Sequence, residues 1–499
     1  MTVADARAAF ARSYALVDRM VDFLASDQTM TWTHAQLEAW LDEKGREFLR
    51  GLLQDHFEVR SAHETRQEEI VDAAGVARTR VERDHRRSLT TIFGDVHVVR
   101  LAYRHPGHGN LHPLDATLNL PLEQFSHGLR QKAAIEAARG SFEEAQEAIA
   151  RATGQRLGKR QIEELAERSA QDFSAFYASA PHPAAESGDL LVLSADGKGV
   201  VMRPEALRPA TAKAALASGQ KLSTRLSKGE KPNRKRMAEV GAVYDATPVP
   251  RTPVDVLRQS GQDPAPKPAP EAKDKWLTAS VVEDAATVIA QVFDEAERRD
   301  PEHQRTWVAL VDGNSHQIDR IQAEAQARAI NVHIVVDFIH VLEYLWSAAW
   351  SFFAEGDATA ETWVLEKANA VLTGKAGIVA AAIRRKATTL KLEKEKRKGA
   401  DKCAAYLLRK RPYLDYPAAL EQGWPIATGV IEGACRHLVK DRMDITGARW
   451  RLKGAEAVLK LRALRQNGDF EAYWSYHLAQ EYRRVHAERY LNHRVPRAA

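Results

Sequence analysis

Apolar residues in the first eighty positions recur every three or four places. Leu37, Trp40, Leu41, Phe48, Leu49 and Leu52 form the clearest stripe, which predicts helices with polar outer faces. The period changes over 89–103. Leu89-Thr90-Thr91-Ile92-Phe93 and Val96-His97-Val98-Val99 flank Gly94-Asp95, so a β-hairpin is expected there. Helical spacing returns at 141–175. Ser141 and Glu144 read as a capping box, and Ala145, Ala148, Ile149 and Ala152 as an inner face. Thr153-Gly154-Gln155 makes a turn, and a second helix starts near Gly158 with Ile162 and Leu165 facing back. This is a helix-turn-helix pattern. Lys159, Arg160 and Gln161 then stand at the start of the second helix, where recognition helices read bases.

After Pro181-His182-Pro183 the apolar runs become short and continuous, as in buried strands. Strands are predicted to end at Asp196, over Ala238–Tyr244, over Trp276–Val282, and to end at Asp312 and Asp337. Helices are expected over 283–299 and 316–328, so the order is β-β-β-α-β-α-β. Residues 246–274 are rich in Pro, Lys and Asp and read as an extended loop. Residues 340–420 are helical, with Tyr344, Trp346, Trp350, Phe352 and Phe353 early and a basic stretch including Arg384, Arg385 and Lys386 later. Thr428-Gly429-Val430 opens another helix, and helices near 454–466 and 469–488 close the chain. The domains expected are 1–130 (helices with the 89–103 hairpin), 131–182 (helix-turn-helix), 183–345 (first part of an α/β core), 346–425 (helical insertion), 426–466 (return of the core) and 467–499 (C-terminal helix and tail).

Composition adds little except in its distribution. The 499 residues carry 72 Lys/Arg against 67 Asp/Glu, for a net charge of +5. Residues 203–236 alone hold a surplus of +8, the footprint of a polyanion binder. Lys231, Arg234, Lys235 and Arg236 end that stretch. Two cysteines give neither a disulfide framework nor a zinc pattern and fit a reducing compartment. His105, His108 and His112 lie in one loop, but no cysteine supports a zinc site among them. The N-terminus lacks the pattern of a signal peptide, and the longest apolar stretch contains Asp337, His340 and Glu343, which argues against a membrane span.

The candidate chemistry lies in four acidic residues. Three apolar runs end on Asp196, Asp312 and Asp337, and the later helix carries Glu432. In this strand order the first and fourth strands are expected side by side, so Asp196 and Asp312 leave the sheet at one edge. Converging carboxylates can hold two divalent ions about 3.5–4 Å apart for in-line attack on a phosphodiester. Hard Mg²⁺ prefers such oxygen ligands. Arg436 and Lys440, at i+4 and i+8 from Glu432, are expected on its helix face beside a DNA backbone, while Ile431, Cys435 and Leu438 pack inward. Asp337 and His340 form an Asp-x-x-His pair with an auxiliary or structural role.

These motifs resemble a known family. Leu193-Ser194-Ala195-Asp196-Gly197-Lys198-Gly199, Val311-Asp312-Gly313-Asn314, Asp337-Phe338-Ile339-His340 and Thr428-Gly429-Val430-Ile431-Glu432-Gly433-Ala434-Cys435-Arg436-His437 look like bacterial insertion-sequence transposases of the ISKra type, with Mutator-like relatives in the DDE superfamily. The Asp444–Trp450 block, which includes Arg449, and the Gly94 hairpin match as well. The resemblance covers roughly 85–470. It implies an α/β core with a ribonuclease-H-like mixed sheet and flanking helices, an all-α insertion, and a mainly α N-terminal DNA-binding region. It implies Asp196, Asp312 and Glu432 as catalytic metal ligands for Mg²⁺, with Mn²⁺ substituting. It further implies binding of terminal inverted repeats and target DNA by a dimer or larger assembly in the bacterial cytoplasm, and attack of a 3′-hydroxyl on target DNA. The alternative is a stand-alone metal-dependent nuclease or resolvase on the same fold; a third reading is a non-enzymatic DNA-binding regulator. Fold alone does not choose among them.

Overall fold

The computed structural model describes residues 3–179, 188–217, 222, 224–225, 234–257, 265–445 and 447–497. The chain forms two compact units, 1–179 together with 468–499, and 180–467. The C-terminal helix and tail therefore belong with the N-terminal region. Among the described residues no helix is long and apolar enough to cross a membrane.

In the first unit, α1 (His34–Ala62) starts at a capping box between Thr33 and Gln36. It is followed by the hairpin β1 (Arg80–Thr91) and β2 (Gly94–Arg104). Thr91 pairs with Gly94, so the turn falls on Ile92-Phe93 and not on Gly94-Asp95. Gly94 has φ +129°, which a side chain would disfavour, so the glycine marks the first residue after the turn. The hairpin also begins well before residue 89, because Arg80–Arg87 is polar and mostly exposed and leaves no apolar period to read. Leu89, Val96 and Val98 pack with Phe57, Leu114 and Leu120. Then come α2 (His127–Arg139), α3 (Phe142–Thr153) and α4 (Lys159–Ser169). The Ser141–Glu144 capping box forms, and Gly154 closes α3 in the left-handed region at φ +73°. Ala145, Ile149, Ile162 and Leu165 are buried; Ala152, in the last turn, is exposed. His112 meets His85 at 3.0 Å, whereas His105 and His108 pack on each other.

The second unit holds a five-stranded sheet. Its strands are β3 (Leu190–Val201), β4 (Lys235–Ala246), β5 (Ala272–Ser280), β6 (Trp307–Val311) and β7 (Val332–Val336), in the order β5-β4-β3-β6-β7. The β3–β4 and β4–β5 pairs are antiparallel; β3–β6 and β6–β7 are parallel. The interleaved helices are α5 (Ala285–Arg299) and α6 (Ser315–Ala327). β3 does not end at Asp196. Gly197–Val201 continues the ladder against Lys235–Glu239, which the two glycines hid from any apolar pattern. β5 starts at Ala272, inside the expected loop, of which 258–264 lies outside the described residues. Helices α7 (Phe338–Ala349), α8 (Ala358–Leu372), α9 (Ala376–Thr389) and α10 (Lys398–Lys410) follow. α7 and α10 touch closely at Gly399, and Tyr344 stacks on Tyr406 at 3.9 Å. After these come α11 (Gly429–Ala434), which a π-helical turn extends over Cys435–Lys440, and α12 (Leu452–Gln466). Buried Glu456 of α12 accepts bonds from Ser280 Oγ and Val281 N, both 2.9 Å, and so ties α12 to the end of β5.

Candidate active site

Strand register places three aspartates in a row. Ser194 of β3 lies opposite Leu310 of β6, and Val311 of β6 lies opposite Val336 of β7. Two residues further along the first pair stand Asp196 and Asp312; one further along the second stand Asp312 and Asp337. Adjacent strands are roughly 4.8 Å apart. The ladder reaches Asp337 itself, whose N–H donates to the Val311 carbonyl at 2.8 Å. β6 stops at Val311 because Gly313, at φ +90°, turns the chain away, and a Cβ there would lie 2.6 Å from the Tyr406 hydroxyl. Asp312 Oδ1 accepts the Asn314 N–H at 2.7 Å, and Asn314 caps α6. Asp337 caps α7, accepting the Ile339 N–H at 2.7 Å.

α11 crosses this row. Ile431, Cys435 and Leu438 are buried beneath it, as their spacing predicts. The Thr428 hydroxyl contacts Asp337 Oδ2 and lies 3.2 Å from Glu432 Oε1. The Cys435 thiol donates to Asp196 Oδ2 at 3.3 Å. The helix thus touches both ends of the row. Asp337, His340 and Glu432 each bring one ligand atom within 4.8 Å of the others, a geometry that could hold a metal ion. Asp196 and Asp312 lie alongside but outside that set. The buried member is Asp337; His340 is partly covered and Glu432 is exposed.

The local field is negative. Burial alone would push His340 down, but its bond to Glu343 and the charges of Asp337, Glu343 and Asp312 outweigh it and raise its pKa. Burial pushes the Cys435 thiol up and Asp196 adds to the shift, so the sulfur keeps its proton and can donate. Glu239 of β4 is raised by burial first, with Asp196 adding to the shift. Lys410 is buried and lowered by burial; its ammonium bonds Ser315 Oγ at 2.7 Å and feels the Asp312 charge. Tyr406 donates to the Asp312 carbonyl at 3.2 Å.

The basic residues separate into two groups. Lys235, Arg384, Arg385, Lys440 and Arg449 are exposed, and Arg234 is half-buried. Arg436 is exposed and lies 3.9 Å from Asp441, at the start of the π-helical turn. Lys159 and Arg160 are exposed with partners Glu143 and Glu164 at 3.2 and 2.9 Å. Three expected DNA contacts are committed elsewhere. Gln161 Oε1 accepts the Gly158 N–H at 2.8 Å as a helix cap. Arg236 donates to the carbonyls of Val281, Ala206 and Val282. The Lys386 ammonium sits over Phe353, Phe352 and Trp363 at 4.3, 4.9 and 5.5 Å, a cation–π enclosure. Lys231 lies outside the described residues.

Sequence reasoning missed Thr428, Lys410, Tyr406 and Glu239 as neighbours of the carboxylates. Only Thr428 carried a signal, since it stands four residues before Glu432 and the turn of α11 brings the two together. The others reach the row by tertiary packing. Models of known protein families give no match to this chain, and a search of curated proteins gives none.

Proposed function

We propose that this protein is a DDE transposase of a bacterial insertion sequence, which binds terminal inverted repeats and cleaves and joins DNA strands with Mg²⁺ or Mn²⁺. The observation that carries the reading is the row Asp196, Asp312 and Asp337 under a helix bearing Glu432. Among the described residues no Lys or Arg is ion-paired with any of the four. A single Thr428 proton faces two carboxylates and can serve only one at a time. Like charges aligned along one end of the sheet favour a bound cation, and an oxygen-rich set suits hard Mg²⁺ or Mn²⁺. The strand order, with the outer two strands beside β4 and β6 and β3 at the centre, supports a ribonuclease-H-like core, and 346–425 then reads as its helical insertion.

In this reading Asp196, Asp312 and Glu432 hold the metal, and Asp337 and His340 flank it. A divalent cation supplies charge neutralisation at the phosphate and a more acidic attacking water or hydroxyl. The protein's own groups fix the geometry. Tyr406 and Gly313 hold the turn after Asp312, Cys435 holds Asp196, and Thr428 donates to Asp337 or to Glu432. Lys440, Arg449, Lys235, Arg384 and Arg385 are the exposed cations for the backbone of double-stranded DNA. A dimer or larger assembly on the DNA ends, in the bacterial cytoplasm, belongs to the same reading.

The test is a plasmid carrying the gene with its native flanks, incubated with purified protein with and without Mg²⁺, and sequenced for new 3′ ends. Nicks at both edges of an inverted repeat are expected. Asp196→Ala, Asp312→Ala and Glu432→Ala should each abolish them and spare DNA binding. Scattered or structure-specific nicks would favour a stand-alone nuclease; tight binding without nicks would overturn both.

A further inference from the structure

A groove of about 520 Å³ runs along one flank of α11. Val430, Gly433, Ala434 and His437, three and four residues apart, form one wall. Neither Gly429 nor Gly433 has an atom within 4 Å of where a Cβ would stand, so two missing side chains keep the space open. The facing surface is apolar, with Pro270, Leu277, Pro425 and Ile426. Its lining residues include basic side chains. Arg251, Lys275 and His437 line it, and among the described residues no Asp or Glu does.

Arg251 is the strongest sign of a ligand. Its side chain is in a residue only 9% exposed, its Nη2 donates to the Trp424 carbonyl at 2.8 Å, and its Nε has no hydrogen-bond partner. Among the described residues no carboxylate lies within ion-pair distance of it, and the charge of Asp255 acts on it from further off. An almost buried guanidinium with an unused donor is costly unless an acceptor arrives. The His437 ring is fixed through Nδ1 by Asp441 at 3.0 Å. Lys275 is an exposed lining residue.

The size lies within the range of small-ligand sites, and apolar walls accompanied by cationic side chains suit a planar ring joined to an anion. Glu432 adjoins Gly433 in the chain, so the groove and the carboxylates share the helix α11. We propose that the groove holds one unstacked nucleotide of a single DNA strand, its base between the apolar walls and its phosphate against Arg251, Lys275 and His437. The proposal rests on the DNA-processing reading above. An enzyme that works at a strand end gains selectivity by binding a nucleotide already out of the duplex stack.

The experiment uses the full chain in EDTA. The probe is a short single-stranded oligodeoxynucleotide carrying one 2-aminopurine, compared with a blunt duplex of the same sequence. Binding of the single strand should brighten the probe as its base leaves the stack. Lys275→Ala, at an exposed position, and Gly433→Leu, which fills the groove, should each weaken single-strand binding about tenfold and leave duplex binding unchanged. Lys275→Ala is unlike Gly433→Leu in needing no repacking, so it decides even if the leucine variant misfolds. Single-strand affinity equal to the parent in a folded Lys275→Ala variant, or an equal loss for the duplex, would overturn the proposal. Duplex nicking with Mg²⁺ is measured in parallel. Nicking with unaltered single-strand binding removes the groove alone; groove-dependent binding without nicking removes the transposase reading alone.

Discussion

Thr428 is the residue on which the candidate site turns. Its hydroxyl is within hydrogen-bond distance of both the buried Asp337 and the exposed Glu432 and donates to one of them at a time. Thr428→Val keeps the shape and removes the hydrogen bond. A hydrogen bond to a charged group is worth about 1.5–3 kcal/mol, so strand cleavage is expected to slow by roughly 10- to 100-fold. Thr428→Ser should restore most of it, and the single-turnover rate checks both. The paired cations Lys235 and Arg236 make a second contrast. Lys235 is exposed, so Lys235→Ala should weaken DNA binding and flatten its salt dependence. Arg236 holds three backbone carbonyls, so Arg236→Ala should lower the thermal midpoint and leave the salt slope unchanged. Salt titrations and melting curves on both variants separate the roles.

At the scale of elements, the sheet depends on how closely α5 approaches it. A Cβ at Gly241 of β4 would lie 2.5 Å from Val292 Cγ2, 3.2 Å from Thr278 Cγ2 and 3.4 Å from Val288 Cγ1. Two of these belong to α5 and one to β5, so neither neighbour can move without disturbing the other. Gly241→Ala is therefore expected to cost about 1–3 kcal/mol through overpacking, read as a lower denaturation midpoint of the sheet. The π-helical turn after α11 acts on the same scale. Along it Cys435, Leu438 and Val439 are buried while Arg436, His437 and Lys440 are exposed. Such turns interrupt helices chiefly at functional sites.

At the scale of the whole molecule, the first unit is held by a buried ionic network that joins distant parts of the chain. Arg130 is fully buried and bonds Glu481 at 2.6 Å and Glu123 at 2.5 Å, while Asp172 meets His477 at 2.7 Å and Arg484 at 3.0 Å. Burial alone would raise the Glu481 pKa, but Arg130 and Arg484 outweigh it and hold it down from 4.5 to about 2. Asp172 is lowered against its own burial by His477 and Arg484. A carboxylate with a depressed folded pKa contributes its full stability above the unfolded value and loses it as the pH falls through the folded one. The first unit should therefore weaken between about pH 4.5 and pH 2. Glu481→Gln should be less stable at pH 7 and show a shallower acid loss over that window. Denaturant midpoints across the pH range, followed by near-ultraviolet circular dichroism, check it.

The sequence by itself determined the elements whose signals are local. The Ser141–Glu144 cap, the helical pair around Gly154, the strand-helix alternation and the placement of Asp312 and Asp337 just past short apolar runs all depend on neighbours a few residues away. The inward face Ile431, Cys435 and Leu438 was legible for the same reason. Tertiary structure decided what depends on partners far along the chain. β3 runs past Asp196 only because Lys235–Glu239 pairs with it. Arg236 and Lys386 look like free cations in sequence, yet one is taken by carbonyls and the other by aromatic rings brought from other elements. The return of 468–499 to the N-terminal unit rests on the same network, since ion pairs such as Arg130–Glu481 span hundreds of residues. The carboxylates were visible one by one; their alignment follows from the register of three parallel strands, which no single segment encodes.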